Sequence, residues 1–145
     1  MASRDTEPPA FGRIGGDPDW YEPYNISLAT QIQDLLFVSG QAGIDEHGRT
    51  VGPDFDTQAR QALANLATVL GRAGASLADV AKVTIMVTDM AHLDEIISLR
   101  AEFFTEPYPA DTLFQVAALA QPDWLIELDA IAVARAPRPA SAHLS

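Results

Sequence analysis

Two carboxylates stand where the chain around them is mostly apolar. Glu127 lies inside the run LIELDAIAV, and Asp111 follows Pro107 and Pro109 at the start of the run DTLFQV. A carboxylate within an apolar strand is rarely left unpaired. Glu127 is therefore either a proton-handling group in a cleft or one half of a salt bridge to a neighbouring subunit. Asp111 is either a turn former whose side chain accepts a nearby backbone N–H, or a group that looks from the sheet edge into a cleft. Held close together, two such acids cannot both ionise cheaply, and one of them would act as a general acid. Other chemistries have little to draw on. The chain has no cysteine, which excludes a thiolate nucleophile, a disulfide framework and a Cys-based zinc site. His47, His92 and His143 are too dispersed for a triad or a metal cluster. The pairs Asp45-Glu46 and Asp94-Glu95 read as solvated faces.

The elements that would carry these groups follow from periodicity. NISLAT and DLLFVSG are short β-prone runs separated by QIQ, the pattern of a hairpin. Ala59, Ala62, Leu63, Leu66, Val69, Leu70 and Ala73 then recur at helical spacing, with Asp56 as the expected N-cap and Gly74 as the C′ residue. SLADV supplies a Ser-x-x-Asp start for one turn, and VAKVTIMV is a β-branched strand. Thr88 or Asp89 caps a second helix carrying Leu93, Ile96, Ile97, Phe103 and Phe104, and TLFQVA and LIELDAIAVA close the domain as strands. The order β-β-α-β-α-β-β predicts an α+β fold, a mixed sheet with two helices on one face. Residues 1 to 22 read as a flexible arm, 23 to 135 as the domain, and 136 to 145 as a disordered tail. In the last strand both alternating faces carry apolar residues, so the face away from the helices is expected to be covered by another copy of the chain.

Composition narrows the partners. The 145 residues suit one domain, and nearly half are apolar (48%). Twenty acids face nine bases, for a formal net charge of −11, and lysine occurs once, as Lys82. Such a surface repels phosphate backbones and anionic lipid, which argues against nucleic acid and membrane partners. No apolar run is long enough to span a bilayer, and the N-terminal residues lack the basic and apolar regions of a secretory signal. A cytoplasmic protein is expected.

Taken in order, LLFVSGQAGID, the helix TQARQALANLATVLGRAGASLADVAKVTIMVTDM, the FF ending the second helix, YPA before a strand, and IELDAIAV resemble the reactive intermediate deaminase family (RidA, also called YjgF) over residues 24 to 134. The resemblance implies a chorismate-mutase-like fold, a homotrimer with clefts between subunits, and hydrolysis of enamines and imines without a metal or organic cofactor. It also implies roles for particular residues. Tyr24, Ser39 and Gly40 would shape the pocket, and Glu127 would position water. The family's carboxylate-binding arginine, just after the PA dipeptide, corresponds to Asp111 here.

That departure sets the functional expectation. An arginine–carboxylate pair near 4 Å is attractive by about 4 kcal/mol at an effective dielectric near 20, and an aspartate reverses the sign. Arg100 is expected to pair with Asp94 or Glu106, leaving Asp111 uncompensated. The resulting site, with catalytic Glu127 and Asp111, favours a cationic or neutral substrate: an amine, an iminium, or an enamine without a free carboxylate. A divalent cation is also compatible, although no spacing is that of a dedicated metal site. The expected function is that of a cofactor-independent enamine or imine deaminase acting on a reactive intermediate other than simple 2-imino acids. The alternative is a non-catalytic trimer binding a small metabolite in the same clefts. Ser39 bonded to backbone, Gly40 serving only a turn, and Tyr24 packing with Trp20 and Tyr21 are the bland counterparts of the site roles.

Overall fold

The computed structural model describes residues 7 to 134. The longer helix, α1 (Phe55–Arg72), begins two residues earlier than expected. Asp54, in extended conformation, accepts the Thr57 N–H at 3.0 Å and is the true N-cap. Asp56 falls instead in the first turn, where an acid suits the helix dipole, and pairs with Arg60 one turn on. Ala59, Ala62, Leu66, Val69 and Leu70 are fully buried, and the two alanines let the helix lie close on the sheet. Gly74 takes the left-handed conformation past the helix end (φ 75°), as the C′ reading requires. The second helix, α2 (Leu93–Phe103), follows a single 3-10 turn that Asp89 caps through the Ala91 N–H at 2.9 Å. Arg60 also reaches Glu102, which ties the two helices together.

The strands are β1 (Gly12–Ile14), β2 (Ala29–Ile32), β3 (Leu35–Ala42), β4 (Val80–Val87), β5 (Ala110–Gln115) and β6 (Ile126–Val133). They form one sheet in the order β1-β2-β3-β6-β4-β5, antiparallel except for β4 and β5. That parallel pair needs a crossover, and α2 supplies it. The core lies between the helices and one sheet face, where Leu36, Val83, Ile85, Val87, Ile126, Leu128 and Ala132 are buried. The expected α+β sheet with two helices on one face is the observed architecture. The other face is uncovered in the single chain: Leu35, Phe37, Phe114 and Val133 are exposed there, beside the half-buried Ile131.

Residues 7 to 22 depart from the flexible arm expected over 1 to 22. Gly12–Ile14 pairs with β2, in register Gly12 to Gln31 and Ile14 to Ala29. Arg13 bridges Asp19 at 2.6 Å. Trp20 and Tyr21 are each only 7% exposed. The Trp20 indole N–H donates to Gln41 Oε1 at 3.2 Å, and the Arg72 guanidinium lies over the Trp20 ring. A three-residue strand leaves almost no periodic signal. The expected tail, residues 136 to 145, lies outside the described residues.

One buried polar side chain organises the loops beside the sheet. Gln58 of α1 is fully buried, and its amide donates to the carbonyls of Gly52 (2.8 Å) and Asp123 (2.9 Å) while accepting the Leu125 N–H (2.8 Å). A Cβ on Gly43 would meet Gln58 Cα at 2.5 Å, so the β3 end can approach α1 only with glycine there. Gln58→Leu fills the same space but strands three backbone groups. It is expected to lower the unfolding free energy by about 3 kcal/mol; urea melts check this, and an unchanged midpoint would show that those groups find other partners.

Candidate active site

β3 is not uniform. Its pairing with β6 shifts register between Val38 and Gln41, so Ser39 and Gly40 occupy a bulge inside the strand. The expectation that they end the strand, with Gly40 permitting a turn, is thus corrected. Gly40 is needed for a different reason. A Cβ there would sit 2.0 Å from Glu127 Oε1, so the Glu127 side chain lies directly against bare backbone. The Gly40 carbonyl points elsewhere and accepts the Tyr21 hydroxyl.

Glu127, Ser39 and Gly40 line a cavity of about 310 Å³ walled by Trp20, Tyr21, Tyr24, Ile26, Ile44 and Trp124. Three of the residues assigned to pocket shape, Tyr24, Ser39 and Gly40, therefore do meet Glu127. Tyr24 is exposed at the rim. The Ser39 hydroxyl is already committed to the Ser27 carbonyl at 2.6 Å, the backbone role held open for it. Glu127 accepts no hydrogen bond from a described residue. Burial, and after it the nearby Asp129, pushes its carboxyl above the usual range. Tyr21 is raised for the same first reason, burial, and then by the Glu127 charge. The Trp124 indole N–H is buried without a partner among the described residues. Trp124 and Ile44 escaped sequence reading as site residues, because an apolar residue in a loop carries no sign of which cavity it lines.

Asp111 is elsewhere. It lies opposite Val83 in register, whereas Glu127 lies opposite Met86, three residues on along β4. The two acids therefore project from opposite sides of the sheet and line separate depressions. Asp111 lines a second depression, of about 270 Å³, with Ile97, Arg100, Phe104 and Tyr108. There Arg100 grips it side-on, Nε to Oδ2 at 2.8 Å and an Nη to Oδ1 at 2.7 Å. The expected pairing of Arg100 with Asp94 or Glu106 is overturned. The last turn of α2 lies over the start of β5, and the planar guanidinium fork matches a carboxylate across that gap. β5 is an edge strand, so the Asp111 backbone is open, yet the paired side chains are only 29% (Arg100) and 20% (Asp111) exposed. Asp111 is therefore not an uncompensated anion, and the repulsion expected from it is cancelled by a guanidinium brought from the helix. Among the described residues no three His, Cys, Asp or Glu side chains gather as a metal site.

The sheet and the helical layer define an α+β fold with an aromatic cavity built around a strand bulge. The family model described as Endoribonuclease L-PSP matches residues 17 to 134. A RutC family protein of Pyrococcus horikoshii is 40% identical over 111 residues, 76% of this chain and 86% of the relative. A mouse protein named 2-iminobutanoate/2-iminopropanoate deaminase is 35% identical over 112 residues, covering 77% and 81% of the two chains. The crystal structure of a Mycobacterium tuberculosis protein described as a member of the YjgF family superposes with a TM-score of 0.73 at 31% identity, over 85% of this chain and 98% of that one. The chain belongs to this family, the one its motifs resemble.

The raised Glu127 carboxyl has a signed consequence for stability. The folded chain holds this proton more tightly than the unfolded chain, so the group's contribution is fully present at low pH. It is lost as pH rises from the ordinary carboxylate value through the raised folded one. Gln cannot titrate. The melting temperature of Glu127→Gln, relative to wild type at the same pH, should therefore increase between about pH 4 and pH 8. A difference that stays flat or shrinks in paired thermal melts would contradict the assignment.

Proposed function

We propose that the chain is a cofactor-independent enamine or imine deaminase, acting on a small reactive intermediate other than simple 2-imino acids. The observation that carries this reading is Glu127: a carboxylate without a hydrogen-bond partner among the described residues, pressed on Gly40, in an aromatic cavity. An imine carbon is already electrophilic, so hydrolysis needs an oriented water and a proton route. From the protonated imine, Glu127 takes a proton from water as the oxygen bonds to carbon and the C=N π electrons pass to nitrogen, giving the neutral carbinolamine. Glu127 then returns that proton to nitrogen, the C–N bond breaks as the carbonyl forms, and the hydroxyl proton passes to the departing ammonia, which leaves as ammonium. An enamine enters the same path after protonation on carbon. A carboxyl raised above its usual range suits both directions of transfer. The names of relatives such as the mouse deaminase agree with this chemistry. RNA cleavage, suggested by the family model's description, fits poorly with a net charge of −11.

Exclusion of simple 2-imino acids now rests on Arg100 being committed to Asp111, and no longer on a bare negative charge. The apolar open face, with Leu35, Phe37 and Phe114, supports burial against further copies in a homotrimer, which would bring the Arg100–Asp111 edge of one copy toward the next. Among the described residues no helix is long and apolar enough to cross a membrane, which is compatible with cytoplasmic work on a small molecule. A second reading, a metabolite-binding trimer without catalysis, draws on Ser39 and Arg100 both being satisfied within the protein.

Ammonia release from freshly generated imines and enamines tests the first reading. Glu127→Gln should lose about 100-fold or more of the wild-type rate. A variant as fast as wild type would remove Glu127 from the mechanism, and a wild type inert on every imine and enamine, yet stabilised by a metabolite, would favour the binding reading. Asp111→Asn releases Arg100 for a substrate carboxylate. It should lower the KM for 2-imino acids by about tenfold, the order of one charge-assisted contact; an unchanged KM would separate Arg100 from substrate selection.

A further inference from the structure

We propose that the Glu127 cavity selects a cationic nitrogen carried on a ring-sized apolar body, an iminium or protonated imine with a cyclic or aryl substituent. This deepens the reading above and rests on it for the reaction, but the recognition can be tested without turnover.

The charge pattern is one-sided. Among the described residues of one copy, Glu127 is the single charged residue lining the cavity, and no lysine or arginine shares it. Asp129, two residues on along β6 and hence on the same sheet face, adds negative field. A protonated nitrogen near Glu127 gains an ion pair where an anion finds none.

The donors of the inner wall are largely spent, whereas the Tyr24 hydroxyl and the Gln121 amide stand at the exposed rim. The Trp20 N–H is committed to Gln41, the Tyr21 hydroxyl to the Gly40 carbonyl and the Ser39 hydroxyl to the Ser27 carbonyl. What these residues still present is carbon and ring surface. The Trp124 N–H is uncommitted, enough for one ether or carbonyl oxygen but not for a carboxylate. Four aromatic side chains around one acid are the chemistry that recognises substituted ammonium groups elsewhere.

Size completes the case. A cavity of 310 Å³ has room for about ten waters, which a three-carbon imine would leave mostly unfilled. A six-membered ring would displace those waters from an apolar wall and keep the reacting carbon beside Glu127.

The test is binding of benzyltrimethylammonium, a cation that cannot be hydrolysed, followed by tryptophan fluorescence and calorimetry on the full chain. It should bind at least tenfold more tightly than its neutral isostere neopentylbenzene and than tetramethylammonium, and phenylacetate should not bind. Glu127→Gln should erase the preference for the cation over neopentylbenzene. At the exposed rim Tyr24→Leu should weaken the cation severalfold, while Tyr24→Phe should not. Equal affinity for cation and isostere, a preference that survives in Glu127→Gln, tighter binding of phenylacetate, or no binding of the cation would each overturn the proposal. Cation selectivity in a protein whose Glu127→Gln variant still releases ammonia at the wild-type rate would fault the catalytic reading alone. Lost selectivity with an intact requirement for Glu127 in ammonia release would fault the substrate class alone.

Discussion

The site depends on a close approach: Glu127 occupies space that any side chain at position 40 would fill. The bulge in β3 lifts Ser39 and Gly40 out of the regular ladder, and β6 brings Glu127 across the gap. Around this contact the protein arranges desolvation without compensation. Trp20, Tyr21 and Trp124 screen the carboxylate from part of the solvent, and among the described residues no base lines the cavity. A charge in such a place is costly, which is why its protonation is coupled so closely to burial. The arm, the bulge and the loop held by Gln58 all serve to keep that wall closed.

The Arg100–Asp111 pair shows how position alone can mislead about charge. One residue of β5 carries an acid where the resemblance leads one to expect a base, but the neighbouring helix delivers a guanidinium to the same edge. The local sum is near zero rather than negative. What changes is availability: one fork of the guanidinium is occupied by Asp111, so the cation acts as part of a fixed pair instead of a free anchor. The walls of the aromatic cavity belong largely to the N-terminal segment and to the loop before β6.

Much of this was legible from the chain itself. Both helices and the five later strands were legible from their residue patterns; α1, β3, β4 and β6 each bury an apolar face, whereas β5 is covered only in part, at Leu113. Glu127 was legible because a carboxylate inside IELDAIAV conflicts with its surroundings. Three features were not. The N-cap moved from Asp56 to Asp54, since two acids two residues apart offer the same signal and backbone conformation alone decides. The edge strand at Gly12–Ile14 is too short to have a period. The partner of Arg100 was decided by where the last turn of α2 lands on β5, and a helix's own pattern names near neighbours along the chain but not the strand beneath.

The account stands most directly on the protonation of one group. A ¹³C NMR titration of the Glu127 side-chain carboxyl in the intact protein, identified by its loss in Glu127→Gln, measures it. The midpoint should lie above the ordinary carboxylate range. It should move down when a cation such as benzyltrimethylammonium occupies the cavity. A carboxyl that titrates as an exposed glutamate does, indifferent to the cation, would contradict the half-buried acid on which both the chemistry and the recognition depend.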